Sequence, residues 1–372
     1  MGPLAGRDMD LPVAPADLAA HSAATWSLVA TVSEPARLVI AFAAHALAKG
    51  AARVDLYMDA SAPPLARTLS GHPQIKVTLC DPANWRGVPG GRPWPTALRQ
   101  RINLQSVLDA PPAQWVLHSD ADEYLWGPGD PGLPLAALPD KIDQAILPTI
   151  ERVHIGAPDP DDILAGRFWR VGHGADQQAA IDLIDGDAAR FLRHGMAGYA
   201  GGKCFFRAGR ALRAGIHTPD GADPVRMQEL AGWKLLHFDG LTPASWISKK
   251  QHQIAQQPEW RSFPDGHVAT RNQLTAAHAA GGDRRQQAAV CRAIKTLDPV
   301  RAERLDSMGL LSDARIDLRA AIAAALAGLT VDLSSAAFDA EGLMIRPRRD
   351  LQWVKHGVRG VVSRLTGQPP GP

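Results

Sequence analysis

Between Trp26 and Leu125, short apolar runs rich in β-branched residues alternate with segments of helix length, and few folds accommodate that order. WSLVATV at 26–32 reads as a strand; Ser33, Glu34 and Pro35 then open a nearly all-apolar helix that Gly50 should stop. Residues 54–58 form the next expected strand, ending at Asp59, residues 64–69 a short helix, and residues 75–79 a third strand. Parallel strands need such crossovers, so the expected fold class is α/β, with a mostly parallel sheet flanked by helices. A Gly/Pro loop fills 82–95 and a helix is expected over 96–108. QWVLHSDADEYL at 114–125 reads as one buried strand whose far end turns acidic. Further strands are expected at 145–155, 204–207 and 233–238, with largely helical chain from Trp246 onward.

The 372 residues suffice for a sizeable core, and a composition of 45% hydrophobic and 21% charged residues is that of a folded chain. Forty basic against 38 acidic side chains give a net charge of +2, which argues against nucleic acid as a partner. Cys80, Cys204 and Cys291 stand far apart, so neither a disulfide framework nor a structural zinc site is expected, and a reducing, cytoplasmic setting fits. The apolar run at 38–48 is too short to span a bilayer. In the tail, six basic residues from Arg346 to Arg364 accompany an apolar stripe from Leu351 to Leu365. That pattern suits a helix docked on its own domain or lying peripherally on the anionic inner membrane.

The acidic end of the 114–125 run is the chemical centre. On a strand, Asp120 and Asp122 would project to one side, and two carboxylates held together need a cation or a shared proton. A hard divalent metal is the usual resolution, and the carboxyl ends of parallel strands are where ligands bind in such sheets. Other motifs fail. An EF-hand loop beginning at Asp120 would have Leu125 where Gly is required and Pro131 where Glu is required. GYAGGK at 198–203 lacks the first glycine of a phosphate loop, and Cys204 replaces its Ser/Thr. Neither H-E-x-x-H nor G-x-S-x-G occurs.

Seven short blocks, in order, resemble the GT-A glycosyltransferases of the family 2-like bacterial branch. They are Val32-Ser33-Glu34, His45 to Gly50, Tyr57 to Ser61, Asp120 to Leu125, Gly202 to Arg207, Gly215 to Pro219 and Leu236 to Pro243. Ser33 departs from the branch's Asn, and Ala62-Pro63-Pro64 stands where a second Asp is usual. The resemblance implies a GT-A domain over 25–250, preceded by an extension at 1–24 and followed by a helical region at 251–345 and the basic tail at 346–372. It implies a metal-dependent, inverting transfer of sugar from a nucleotide-diphosphate donor to a glycan or lipid-linked acceptor, in cell-surface polysaccharide or glycan synthesis.

On that resemblance Mn2+ or Mg2+ would be held by Asp120 and Asp122, with His217 or His237 as a further ligand. Glu34, Asp59 and Lys203 would contact the donor, and Asp239, Glu123 or Asp220 would serve as general base. Two other classes stay open: a metal-dependent phosphohydrolase or nucleotidyltransferase, and a non-catalytic nucleotide-sugar-binding domain.

Overall fold

The computed structural model describes residues 23–59, 62–170, 181, 186–193, 195–198, 201–217, 225–263 and 267–341. The chain opens as expected, with β1 (Trp26–Val32), α1 (Ala36–Ala48), β2 (Arg53–Met58), α2 (Pro63–Ser70), β3 (Ile75–Leu79) and α3 (Thr96–Leu108). Then come β4 (Trp115–His118), β5 (Glu123–Trp126), α4 (Gly132–Ala136), β6 (Gln144–Leu147), β7 (Thr149–Ile155), β8 (Arg167–Trp169), β9 (Lys203–Arg207), β10 (Met227–Glu229) and β11 (Lys234–His237). The helical region holds α5 (Pro243–Gln256), α6 (Val268–Ala280), α7 (Arg284–Lys295), α8 (Pro299–Ser307), α9 (Leu318–Ala325) and α10 (Ser335–Glu341). Two strand fragments, β12 (Thr296–Leu297) and β13 (Leu311–Ser312), interrupt it.

The main sheet has the order β10-β6-β9-β4-β1-β2-β3. β1 pairs in parallel with β2 and β4, β2 with β3 and β10 with β6, while β9 runs antiparallel between β4 and β6. This is the expected α/β class. Every residue of β1 is buried, as a central parallel strand covered on both faces must be. α1 ends where Gly50 takes a φ of 94°, a conformation that glycine adopts without strain. Its buried face meets Leu318 and Ile322 of α9 in the largest apolar cluster, which also takes in Leu333 and Phe338. The helical region therefore completes the main core. Arg37 in α1 also pairs with Glu341 of α10 at 2.7 Å.

Two runs that read as single strands are each divided between two sheets. A second sheet, ordered β13-β8-β7-β11-β5 with β12 beside β7, takes the far half of both. The 145–155 run breaks at Pro148, which has no N–H to give to a ladder: Leu147 pairs with Lys203 in the first sheet and Thr149 with Leu235 in the second. The 114–125 run breaks over 119–122, where the Glu123 amide donates to the Asp120 carbonyl at 2.9 Å and closes a turn. Apolar patterning could not reveal either break, because both halves of each run are buried. Among the described residues no helix is long and apolar enough to cross a membrane, and the basic tail lies outside them.

Candidate functional site

Asp120 and Asp122 thus stand on a turn at the carboxyl end of β4, where the two sheets part, rather than on a strand. Their surroundings differ. One Asp120 oxygen accepts from Gln100 Nε2 at 2.6 Å and the other from Lys203 Nζ at 2.8 Å, so both are occupied. Burial opposes ionisation of Asp120, but the Lys203 ammonium outweighs it and holds the carboxyl well below the usual range. Glu123 faces back into the turn, its Oε2 accepting from Ser119 Oγ at 3.2 Å and the Asp120 amide at 3.0 Å, with Lys203 Nζ 3.5 Å away.

Asp122 belongs to another group. Its carbonyl accepts from the Phe238 amide at 2.8 Å, continuing the β5–β11 ladder by one step. His237 and Asp239 flank Phe238 and, two residues apart, fall on one side of the extended chain. One ligand atom from each of Asp122, His237 and Asp239 lies within 4.8 Å of the others. Asp122 Oδ1 and His237 Nδ1 are buried without a hydrogen-bond partner. Lys249 Nζ, from α5, bonds Asp122 Oδ2 at 2.7 Å and lies 3.6 Å from Asp239 Oδ1. Lys295 Nζ, from the last turn of α7, lies 2.9 Å from Asp239 Oδ2, though not in hydrogen-bond alignment, and 2.6 Å from Glu151 Oε1.

Glu151 pairs with His237 across β7 and β11, and its Oε2 lies 3.7 Å from His237 Nδ1. Its carboxylate also accepts the amides of Ala197 at 3.0 Å and Gly198 at 2.6 Å. A side chain at position 198 would displace the Glu151–His237 pair, since a Cβ there would stand 2.6 Å from Glu151 Oε2 and 2.7 Å from His237 Cε1. Burial works against a charged His237, yet Glu151, Asp122 and Asp239 together raise its pKa above the ordinary histidine value. Two carboxylates and an imidazole, with a buried oxygen left over, form a donor set that could hold a divalent cation, the imidazole suiting Mn2+ better than Mg2+.

The remaining sequence candidates stand outside this group of three. Glu34, at the end of β1, accepts from the Ser33 amide at 2.8 Å; burial, then Asp122, push its carboxyl up to about 7. Asp59 is bound by Arg92 at 2.9 Å and Arg99 at 2.7 Å. Lys203 is fully buried and committed to Asp120 and Glu123. His217 places Nδ1 3.0 Å from the Gly202 carbonyl and is not in the convergent group, and Asp220 lies outside the described residues. Gln100, Glu151, Lys249 and Lys295 were not anticipated. Only Glu151 carried a signal, as half of a Glu-Arg pair inside a buried strand.

No protein-family model matches the chain, and no curated protein does. Among solved structures the chain is similar to S. aureus TarS 1–349, at 12% identity over 70% of this chain and 73% of that one, with a TM-score of 0.29. It is also similar to the galactosyltransferase LgtC in complex with donor and acceptor sugar analogs, at 11% identity over 90% of this chain and 99% of that one, with a TM-score of 0.23. Likenesses this distant leave the functional reading to the site itself.

Proposed function

We propose that the chain is a metal-dependent, inverting glycosyltransferase of the GT-A type, moving a sugar from a nucleotide-diphosphate donor to the hydroxyl of a glycan or lipid-linked acceptor. The observation that carries this reading is the convergence of Asp122, His237 and Asp239 beside the carboxyl end of β4, with a buried Asp122 oxygen unfilled. That end of a parallel sheet is where donors bind in open α/β folds. The seven sequence blocks support the same class, and with it a role in cell-surface polysaccharide or glycan synthesis.

Asp122, His237 and Asp239 would hold Mn2+ or Mg2+, which supplies Lewis-acid stabilisation of the departing diphosphate when bound. Glu151 and Lys295 set the charge around His237 and Asp239. Lys203 and Gln100 fix Asp120 in the turn, and Glu34, at the end of β1, would contact the donor. Asp59 organises the 82–95 loop through Arg92 and Arg99. Of the candidate bases, Asp239 serves the ion and Glu123 serves the turn.

A screen of nucleotide-sugars with and without Mn2+, read by thermal shift and followed by product analysis, tests the proposal. Metal-dependent stabilisation by one nucleotide series and formation of a glycoside are expected. Free phosphate or a nucleotidyl product without glycoside would favour a phosphohydrolase or nucleotidyltransferase instead, and donor binding without turnover would indicate a binding domain.

A further inference from the structure

Among the described residues four lysines surround the site's carboxylates, and they differ in access to solvent. Lys203 and Lys295 are sealed in, with side chains 1% and 2% exposed, and each is shared between two carboxylates. Lys250 is buried with its ammonium over the Trp246 ring, 5.4 Å from the centroid. Lys249 alone of the four is half exposed, at 51%, although its ammonium touches Asp122 and approaches Asp239, whose side chains are 9% and 4% exposed. A cation on a flexible, half-exposed stem whose ammonium contacts two buried carboxylates is better placed to move than the three sealed lysines.

We propose that Lys249 is the resident counter-ion of the Asp122–His237–Asp239 group and is displaced when a divalent cation binds there; this rests on the metal reading above. An ammonium 2.7 Å from one Asp122 oxygen and 3.6 Å from Asp239 competes for the lone pairs a divalent ion needs, and it repels that ion at short range. The base of α5 stays in place during the exchange: Thr242 Oγ1 accepts the Ser245 amide at 3.1 Å while Ser245 Oγ accepts the Thr242 amide at 3.1 Å, and Pro243 pre-sets the first turn. The exchange therefore needs only rotation of the Lys249 side chain.

The test is Mn2+ titration of the full-length protein by calorimetry, without donor, for wild type, Lys249→Met and Lys249→Arg. Lys249→Met should bind Mn2+ about fivefold more tightly than wild type, the scale of one part-exposed ion pair. Lys249→Arg, which keeps the charge, should stay near wild type. The thermal midpoint of Lys249→Met without metal should fall, and Mn2+ should raise it by more than it raises wild type. Equal or weaker Mn2+ binding by a folded Lys249→Met, with wild type still binding, overturns the exchange and leaves the metal site standing. Failure of both proteins to bind Mn2+ overturns the metal reading and the exchange with it.

Discussion

Two strand ends on the carboxyl edge of the same sheet each carry a buried aspartate, and they differ in what the protein leaves unfilled. Asp59, just past β2, meets Arg92 through one oxygen and Arg99 through the other. Asp122, in the turn that follows β4, has one oxygen on Lys249 and one with no partner. Asp120 falls with Asp59, since Gln100 and Lys203 satisfy it. A carboxylate at a strand end is thus not in itself a mark of a site. What distinguishes Asp122 is an unfilled oxygen with an imidazole and a second carboxylate aimed at the same point.

The largest expected effect is at the filled end. Asp59→Ala strips the buried Arg99 of its carboxylate and should destabilise the fold by about 3–5 kcal/mol in urea denaturation. At the open end, Asp122→Asn preserves shape but removes the charge facing the proposed metal; sugar transfer should fall by about 10²- to 10³-fold while the protein remains folded by circular dichroism. If the two variants exchanged phenotypes, Asp59 lowering turnover and Asp122 lowering stability, the contrast between filled and open ends would be wrong.

How much of this could be read from the sequence depended on whether the information was local. The strands and helices from Trp26 to Leu108 were legible because apolar runs and their Gly and Pro boundaries lie within each segment. The turn at 119–122 was not, because Trp115 to His118 and Glu123 to Leu125 are equally buried in two different sheets. Asp122, His237 and Asp239 were each visible as candidates, but their grouping depends on the antiparallel register of β5 and β11, which pairs His237 with Glu123. Lys249 and Lys295 sit on helices with nothing local to set them apart from solvated lysines; only the tertiary contact to Asp122, Asp239 and Glu151 gives them meaning.

Acid should act on the open end more than on the filled one. Beneath the Asp122 turn, His45 Nε2 donates to the Leu125 carbonyl of β5 at 2.7 Å, and burial lowers its pKa to about 4. The folded imidazole stays neutral where the unfolded one, near 6.5, is already protonated. The stability it contributes is therefore complete above pH 6.5 and lost as pH falls toward 4, on the order of 3 kcal/mol. Urea midpoints measured from pH 7.5 to 4.5 should drop less steeply for His45→Gln than for wild type. Parallel slopes would show that β5 is not tied to this histidine.

The smallest effect is the most discriminating. Arg92 lies on the loop at 82–95 and is part exposed, so its bond to Asp59 should contribute only about 0.2–1 kcal/mol. Asp59 would keep Arg99, which reaches it through Nε at 2.9 Å and Nη2 at 2.7 Å and is itself fixed by the Pro93 and Trp94 carbonyls. Arg92→Ala should therefore lower stability by less than about 1 kcal/mol and, if the filled end only fastens the loop, leave the donor KM unchanged. A severalfold rise in donor KM with stability intact would mean that the guanidinium reaches the donor as well as Asp59. The filled end would then belong to the binding cleft, and full occupancy of a carboxylate in the free protein would no longer separate structural from functional strand ends.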